Sequence, residues 1–388
     1  MKQPGKGVLI MAGGTGGHIF PGLAVADVLR QRDIPVRWLG AEGGMETRTV
    51  PEAGIELDLV AITGLRGKGV MRWIRMPLML IKAVWHARRL LEANPPGCAV
   101  SFGGYAAAPG GIAAWTKGIP VLVHEQNRIP GMTNRLLTRF ARKILQGFPG
   151  TFPKDMSPID SGNPVRREVA ELPGPRTRMA ERQGPVRILI TGGSQGAQVL
   201  NLVVPAALKL LSSSIDFEVR HQAGAKRVDE AVESYAEAGV DADIQPFIGD
   251  MAEAYAWADL VICRSGALTV AELAAAGVAS VLVPFALAVD DHQTRNAEYL
   301  AEANAAIILP QSSLAADSLA TVLKPLLGDR EVLLSMAESA RNMALPDAAE
   351  SVVAACSEWV STRAGLADIC SPCVEFVVCT SWELVVPV

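Results

Sequence analysis

The sequence predicts an α/β fold in which two Rossmann-like, doubly wound parallel sheets face a common cleft. Short apolar segments alternate with amphipathic helical segments along most of the chain, which is typical of parallel sheets. The opening pattern, an apolar segment followed by a glycine-rich turn, returns at residues 184–201. The length of 388 residues also exceeds what one ordinary hydrophobic core accommodates.

The first half of the chain contains five predicted strands, each followed by a helix or a turn. They are the segments KGVLIMAGG, VRWLG, CAVSFGG, IPVLVHE and RKILQGF. After the first of them, the segment GLAVADVLRQRD carries apolar residues at helical spacing and is predicted to be a helix. The alternation favours a parallel sheet with helices on its faces.

The second half repeats this organisation after a linker rich in proline, glycine and charge at residues 162–185. Its predicted strands are GPVRILIT, DFEVRHQAG, DADIQPFI, DLVICRSG and ASVLVPF. We therefore expect an N-terminal domain, a C-terminal domain, a C-terminal helix and a tail of unassigned role, with the bounds 1–163, 164–345, 346–363 and 364–388. Ligands of such folds bind in the cleft at the carboxyl ends of the strands.

Charge is distributed unevenly along the chain. Residues 1–166 carry 21 Lys and Arg against 11 Asp and Glu, a net +10, so the remainder carries −14 of the total of −4. A basic half indicates contact with an anionic surface, either nucleic acid or lipid. The N-terminus lacks the features of a signal peptide, and no apolar run is long enough to span a bilayer, so a cytoplasmic location is expected. The pair Cys370 and Cys373 has no second pair or nearby histidine that would indicate a zinc site.

Glycine-rich turns stand at matching places in the two halves. Gly13–Gly17 follows the first strand, Gly192–Gly196 with Ser194 opens the second half, and a third glycine-rich segment spans residues 101–111. A strand–glycine–helix turn exposes backbone N–H groups at the positive end of a helix, which suits a phosphate or diphosphate. Neither turn fits GxxxxGK[ST] or GxGxxG, so a P-loop ATPase and a hydride-transferring dinucleotide enzyme are disfavoured.

His18 is placed at the start of the first helix, facing the predicted cleft. Histidine titrates near neutral pH and can act as a general base, but from the residues alone a capping or phosphate-contacting role is slightly favoured. Further polar segments stand at strand ends, namely HEQN, GNPVR, CRSGALTVAE and DDHQTRNA. Such amide and carboxylate groups suit sugar hydroxyls, and Glu272 could accept bonds from a ribose diol.

Residues 64–93 combine seven Lys and Arg with many apolar side chains and a single acid, Glu92. One reading is a helix that lies on an anionic bilayer surface. The other is an amphipathic core helix with a solvated basic face, and the residues alone leave both open. Nucleic acid is not expected as a partner, because few aromatic residues are interleaved for base stacking.

A family resemblance emerges from these motifs taken together. The segments MAGGTGGHIFPGLAVA, GLRGKG, HEQNRIPGMTNRLL, GGSQGAQVLN, AYAWADLVICRSGALTVAELAAAG and DDHQTRNA resemble those of the MurG family of bacterial peptidoglycan N-acetylglucosaminyltransferases, in order, over roughly residues 6–360. The resemblance implies a GT-B type fold. It also implies transfer of N-acetylglucosamine (GlcNAc) from UDP-GlcNAc to the C4 hydroxyl of N-acetylmuramic acid (MurNAc) in undecaprenyl-diphosphate-linked lipid I, which yields lipid II.

The resemblance further implies a peripheral protein at the cytoplasmic face of the inner membrane, with other cell-wall enzymes as partners. His18 becomes the candidate general base. The expected contacts to the acceptor diphosphate are Gly13, Gly14, Gly103, Gly104 and Tyr105. The expected contacts to UDP-GlcNAc are Thr15, Gly16, Gly17, Asn127, Arg166, Ser194, Ile248, Ala267, Leu268, Thr269, Glu272, His292 and Gln293. Some family members carry two adjacent glutamines where this chain has His292 and Gln293.

Within this resemblance, Asn127 and Gln293 bind the sugar, Arg166 and Ser194 the diphosphate, Ile248 the uracil and Glu272 the ribose. The reaction is expected to invert the anomeric centre, with the acceptor hydroxyl attacking opposite the leaving UDP. Because no DxD-type acidic pair follows a strand, no metal and no cofactor are expected. The alternatives are a UDP-GlcNAc 2-epimerase, which needs no acceptor, and a non-catalytic membrane-surface sensor of UDP-sugars.

Overall fold

Two parallel sheets organise the chain, as the alternating sequence pattern predicts. The computed structural model describes residues 6–62, 70–193, 196–285 and 291–361, with the backbone alone for residues 70–76. Ser194, residues 64–69 of the basic segment and the tail 364–388 lie outside the described residues. Among the described residues, no helix is both long and apolar enough to cross a membrane.

The first sheet has seven strands in the order β3-β2-β1-β4-β5-β6-β7, all of them parallel. Their bounds are β1 Val8–Ala12, β2 Val36–Ala41, β3 Glu56–Val60, β4 Cys98–Gly103, β5 Val121–Glu125, β6 Lys143–Gln146 and β7 Ile159–Asp160. The helices between these strands are α1 Gly16–Gln31, α2 Glu46–Glu52, α3 Val70–Ala93, α4 Ala107–Thr116 and α5 Met132–Leu137.

The second sheet has six parallel strands in the order β10-β9-β8-β11-β12-β13. Their bounds are β8 Val186–Thr191, β9 Phe217–Gln222, β10 Asp243–Gln245, β11 Leu260–Cys263, β12 Ala279–Leu282 and β13 Ala306–Ile308. The helices of this half are α6 Arg167–Ala170, α7 Pro175–Met179, α8 Gln198–Leu211, α9 Val228–Ala238, α10 Met251–Trp257, α11 Ala267–Ala276, α12 His292–Ala301, α13 Ala316–Leu327, α14 Arg330–Asn342 and α15 Ala348–Cys356.

Each sheet separates two apolar cores, one on each face. The strands consist largely of buried aliphatic residues, such as Val8–Ala12, because helices cover both faces of a parallel sheet. The last helix, α15, packs against α1, and its Val352 and Val353 lie in the core of the first sheet. The chain therefore crosses between the two sheets twice, once after β7 and once before α15.

All ten predicted strands are present, and the structure adds β3, β7 and β13. Strand β3 lies at a sheet edge and carries Glu56 and Asp58, so its sequence lacks the apolar run of a central strand. Strand β7 contains two residues and lies at the edge of the first sheet opposite β3. Strand β13 contains three residues and lies at the edge of the second sheet opposite β10. Edge strands of this kind are short and partly polar, which weakens their sequence signal.

In both sheets the strand order reverses beside the first strand of its half. In the first sheet β1 lies between β2 and β4, and in the second sheet β8 lies between β9 and β11. Crevices of doubly wound sheets form at this switch point, outside the carboxyl ends of the strands. The glycine-rich turns after β1, β4 and β8 all leave their sheets at these crevices.

Candidate active site

The turn between β1 and α1 is the first element of the candidate site. Gly14 adopts a φ of +93°, a conformation that favours glycine. Its N–H donates to Oε2 of Glu46 at 3.0 Å. Helix α1 begins at Gly16, and none of the described residues accepts a hydrogen bond from the N–H groups of Gly16 and Gly17. The helix start therefore offers backbone donors to an anion.

The turn after β4 lies directly against this first turn. Gly103 and Gly104 have φ values of +99° and +89°. A Cβ at Gly104 would lie 2.2 Å from the carbonyl oxygen of Gly13, so only glycine permits the approach. Tyr105 follows with an exposed side chain. The structure thus brings together all five residues that the sequence assigns to the acceptor diphosphate, although the N–H of Gly14 is directed to Glu46.

The imidazole of His18 lies between these two turns. Its Nδ1 is 3.3 Å from the carbonyl oxygen of Gly13 and 3.5 Å from Oγ1 of Thr15. Because a carbonyl oxygen only accepts, the contact with Gly13 is a hydrogen bond in the tautomer that carries its proton on Nδ1 and its lone pair on Nε2. A Cβ at Gly103 would lie 3.2 Å from both Cδ2 and Nε2 of the ring. Glycine at position 103 therefore makes room for the basic edge of the imidazole.

The protonation of His18 is set mainly by its surroundings in the cleft. Burial lowers the pKa of His18 below its ordinary value of 6.5, and the nearby His292 lowers it as well. The carboxylates of Glu125 and Glu46 and the bond to Gly13 act in the opposite direction without cancelling the effect of burial. A histidine with a lowered pKa is neutral at pH 7 and can accept a proton.

A buried carboxylate at the end of β5 organises the neighbouring loop. Glu125 accepts hydrogen bonds at Oε1 from the backbone and side-chain N–H groups of Asn127, at 3.0 and 3.2 Å. Its Oε2 accepts from the N–H of Gly131 at 3.1 Å and from Nδ2 of Asn134 at 2.9 Å. Glu125 belongs to the polar segment HEQN noted in the sequence, but only Asn127 of that segment was predicted as a site residue, and Asn134 was not predicted. The signal for Glu125 is an acidic residue at the end of an apolar strand.

Asn127 also joins the two walls of the cleft. Its Oδ1 accepts a hydrogen bond from Nδ2 of Asn296 at 3.2 Å, and Oδ1 of Asn296 accepts from the N–H of Arg128 at 2.9 Å. The guanidinium of Arg128 binds both carboxylate oxygens of Glu302 at 3.0 and 3.1 Å. Asn296 and Glu302 lie on and just after α12, the helix that begins at His292.

Gln293 is held at the start of α12 by two hydrogen bonds. Its Oε1 accepts from the N–H of Phe285 at 2.9 Å, and its backbone carbonyl accepts from Oγ of Ser265 at 2.8 Å. His292 lies close enough to His18 to influence its pKa. Asn127 is thus bonded to α12, the helix that begins with His292 and Gln293.

The glycine turn after β8 forms the corresponding wall of the second half. A Cβ at Gly196 would lie 2.0 Å from the carbonyl oxygen of Ala223, so this turn packs tightly on the loop after β9. Gln222, the last residue of β9, links this turn to the loop after β10, because its Nε2 donates to the carbonyl of Gly193 and its Oε1 accepts from the N–H of Ile248, at 2.9 and 3.0 Å. The sequence analysis named Ile248 but missed Gln222. The backbone N–H of Ile248 is thus already bonded within the protein.

Arg166 and Glu272 bind one another across the start of α11. Nε and Nη2 of Arg166 donate to Oε1 of Glu272 at 3.1 and 2.8 Å, and the hydroxyl of Tyr255 donates to Oε2 at 3.2 Å. Glu272 is buried, whereas Arg166 remains about one third exposed. Burial is the main cause that raises the pKa of Tyr255, so this hydroxyl stays protonated as a donor. The sequence assigned these residues to separate parts of the nucleotide, and the structure joins them.

The first turn of α11 contains the remaining predicted nucleotide contacts. Helix α11 begins at Ala267 after Gly266, whose backbone is extended. Ala267 is buried, whereas Leu268 and Thr269 are half-buried at the helix N-terminus. Among the described residues, no group of three or more His, Cys, Asp or Glu side chains could hold a metal ion.

Two models of known protein families match the two halves of the chain separately. Residues 8–146 match the glycosyltransferase family 28 N-terminal domain, and residues 187–352 match the glycosyltransferase family 28 C-terminal domain. A relative from Xanthomonas axonopodis pv. citri (strain 306) is 59% identical over 345 residues, which are 89% of this chain and 80% of the relative. It is named UDP-N-acetylglucosamine–N-acetylmuramyl-(pentapeptide) pyrophosphoryl-undecaprenol N-acetylglucosamine transferase.

Solved structures agree with this assignment. The crystal structure of Acinetobacter baumannii MurG superposes with a TM-score of 0.79 at 42% identity, covering 91% of this chain and 99% of that one. A UDP-GlcNAc 2-epimerase from Neisseria meningitidis gives a TM-score of 0.64 at 12% identity, with 90% and 99% covered, a likeness of fold alone. The chain therefore belongs to glycosyltransferase family 28 and, within it, to the MurG family.

Proposed function

We propose that this protein transfers GlcNAc from UDP-GlcNAc to the C4 hydroxyl of MurNAc in lipid I and thereby forms lipid II, with inversion at the anomeric carbon. The observation that carries the proposal is the 59% identity, over 89% of the chain, to a transferase of that name. The fold alone would not suffice, because it is shared with an epimerase.

We propose His18 as the general base of this reaction. Nε2 is the unprotonated nitrogen if Nδ1 donates to Gly13, and it lies at the Gly103 turn inside the cleft. Its lowered pKa keeps the imidazole neutral at pH 7. The C4 hydroxyl would transfer its proton to Nε2 as its oxygen attacks the anomeric carbon and the bond to UDP breaks.

The second half of the chain supplies the proposed donor site. The start of α11 has no side-chain cap, so its first backbone N–H groups are available to an anion, and Arg166, bonded to Glu272 of the same helix, adds a positive charge. Both would stabilise the charge that develops on the leaving UDP, without a metal ion. Arg166 is held by Glu272, so this carboxylate orients the cation and would share its remaining acceptor capacity with the ribose diol.

Asn127, His292 and Gln293 are proposed to contact the GlcNAc hydroxyls, because Asn127 bonds to Asn296 on α12 and His292 and Gln293 are the first two residues of that helix. The linker near residues 163–166 is proposed as the hinge on which the cleft closes over the donor. His124 fixes this linker, since its Nε2 is 2.9 Å from the carbonyl oxygen of Gly162.

We propose that helix α3 attaches the protein to the cytoplasmic face of the inner membrane. Ala83, Ala87 and Leu91 face the core. The opposite face exposes Leu78, Ile81 and Trp85, at 64%, 64% and 55%, and the guanidinium of Arg89 lies 3.5 Å from the centre of the Trp85 ring. Apolar side chains rimmed by cations are typical of surfaces that bind anionic bilayers.

Vesicle flotation tests this membrane contact. Ile81→Glu should reduce binding to vesicles that contain anionic lipid at least tenfold, because a carboxylate would face the headgroups. Val232→Glu is the matched control, since Val232 is an aliphatic side chain that is 48% exposed on α9 of the second half. Equal binding of the two variants would contradict the assignment of α3.

Product analysis tests the reaction itself. The purified protein is incubated with UDP-GlcNAc and a lipid I analogue, and the lipid product is identified by mass and by the configuration of the new bond. A disaccharide-lipid with inverted configuration is expected. Conversion of UDP-GlcNAc to another UDP-sugar without an acceptor would instead indicate an epimerase, and donor binding without any product would indicate a sensor.

A further inference from the structure

Glu46 is a fully buried carboxylate next to the first glycine turn. Its exposed fraction is 0%, and within the described ranges no Lys, Arg or His nitrogen lies within 4.0 Å to balance its charge. Instead, Oε1 accepts a hydrogen bond from the N–H of Ala41 at 2.9 Å, and Oε2 accepts from the N–H of Gly14 at 3.0 Å. A buried carboxylate without a cationic partner costs free energy unless hydrogen bonds compensate it, and here two backbone N–H groups do so.

Three glycines close the backbone around this carboxylate. A Cβ at Gly13 or at Gly44 would lie 2.2 Å from an oxygen of Glu46, and a Cβ at Gly40 would lie 2.7 Å from its Cγ. The three glycines come from three separate segments, the β1–α1 turn, β2 and the loop before α2. The site thus fixes the Glu46 side chain and the Gly13–Gly14 peptide relative to each other.

The Gly13–Gly14 peptide connects Glu46 to His18. In a planar trans peptide the C=O and the following N–H point in opposite directions. The N–H of Gly14 points to Oε2 of Glu46, and the carbonyl of Gly13 points to Nδ1 of His18, 3.3 Å away. A carboxylate on the N–H side polarises the peptide and strengthens its carbonyl as an acceptor.

We propose that Glu46 is a positioning residue that acts through the Gly13–Gly14 peptide to hold the proton of His18 on Nδ1 and keep Nε2 free as the base. The inference rests on the proposed function, in which His18 takes the proton of the acceptor hydroxyl. Glu46 touches neither substrate nor the reacting atoms in this arrangement.

Other groups also face His18, and their effects are separable from that of Glu46. Glu125 on β5 acts on the imidazole as a charge, His292 at the start of α12 acts as a second imidazole, and Oγ1 of Thr15 lies 3.5 Å from Nδ1. Glu46 and Glu125 both raise the pKa of His18, against burial and His292. Only Glu46 is linked to Nδ1 through a hydrogen-bonded peptide.

The test reads the tautomer of His18 by nitrogen NMR of the full chain labelled in its five histidines, with the His18 signal assigned from its loss in His18→Gln. In the wild-type protein at pH 7.5, His18 is expected to carry its proton on Nδ1. Glu46→Gln keeps the volume of the side chain but removes its charge and places an NH₂ group against the N–H of either Gly14 or Ala41. The Gly13 carbonyl then becomes a weaker acceptor, so the fraction of His18 protonated on Nδ1 should fall. Glu42→Gln, an exposed carboxylate on the same loop, should leave the tautomer unchanged.

Kinetics provide the second readout. Glu46→Gln should lower kcat about 10- to 100-fold, the size of effect known for groups that orient a metal-bound histidine without touching the metal. The Kd for UDP-GlcNAc should stay within about twofold, because the proposed uracil, ribose and diphosphate contacts lie in the other half. The acid limb of the kcat profile should also move to lower pH, since one of the two carboxylates that raise the pKa of His18 is removed.

Either of two results would overturn the inference: a wild-type His18 protonated on Nε2, or a Glu46→Gln tautomer identical to that of Glu42→Gln. The wild-type spectrum gives the first result even if Glu46→Gln does not fold. A wild-type protein with the expected tautomer but no lipid product would refute the proposed function and leave the Glu46 arrangement standing. The two failures are therefore distinguishable.

Discussion

The contact between Gly103 and His18 gives the account a quantitative test through Gly103→Ala. Gly103 has a φ of +99°, and an added Cβ would lie 3.2 Å from Cδ2 and Nε2 of His18. Backbone strain at such a φ costs about 1–3 kcal/mol, of which the stiffer unfolded chain offsets roughly 0.4–1 kcal/mol. The imidazole must also move by a few tenths of an ångström to accept the new methyl group.

Gly118→Ala separates these two effects. Gly118 is an exposed glycine in the same half, with a φ of +70° and nothing within 4 Å of an added Cβ. Both variants should lose about 1–2 kcal/mol of stability, a shift in Tm of roughly 2–8 °C for a domain of this size. Only Gly103→Ala displaces the proposed base.

The assay compares kcat for transfer of labelled GlcNAc to a lipid I analogue at saturating donor. A displacement of about 1 Å lowers a catalytic rate roughly 100-fold. A displacement of the imidazole by a few tenths of an ångström should therefore lower kcat about fivefold to tenfold. The Kd for UDP-GlcNAc should match that of Gly118→Ala, because the proposed contacts to the UDP moiety lie in the other half. A kcat for Gly103→Ala within twofold of the control would refute the placement of His18 as the base.

Three further predictions concern the cleft, the metal and acid stability. Arg128→Ala should weaken UDP-GlcNAc binding about 1.5- to 5-fold, as measured by calorimetry. The half-exposed ion pair of Arg128 with Glu302 joins the cleft walls, and such pairs contribute about 0.2–1 kcal/mol. Arg48→Ala, which breaks an exposed ion pair within one helix, should not change the affinity. EDTA should leave turnover unchanged, and restoration of lost activity by Mg²⁺ would contradict metal-independent transfer. Burial lowers the pKa of His221 from 6.5 to about 3. As the pH drops below 6.5, this histidine therefore binds a proton in the unfolded chain but not in the folded one, and the folded protein should lose stability. The urea midpoint of His221→Gln should depend less steeply on pH than that of the wild type.

The fold and the glycine turns were accessible from sequence because their signals are local. An apolar segment followed by glycines and a helical period predicts a strand–turn–helix unit without knowledge of its neighbours. The turns at Gly13–Gly17 and at residues 101–111 were therefore identified correctly as elements. Their direct contact, in which Gly104 leaves room for the carbonyl of Gly13, depends on the adjacency of β1 and β4.

The pairings within the site were not accessible, because they join residues far apart in the chain. Arg166 meets Glu272 across 106 positions, and Arg128 meets Glu302 across 174. Glu46 gave no signal, since an acidic residue in a glycine-rich loop is ordinarily exposed. Its burial follows only from three glycines of separate segments that close around it.

The most direct test of the account is the kcat of His18→Ala, measured with the Kd of the same variant for UDP-GlcNAc. General-base catalysis contributes about 10²- to 10⁴-fold to a rate, so kcat should fall by that factor. The Kd should remain unchanged, because the nucleotide is bound by the other half. A kcat within tenfold of the wild type, at unchanged Kd, would contradict the claim that the imidazole between the two glycine turns takes the proton of the acceptor.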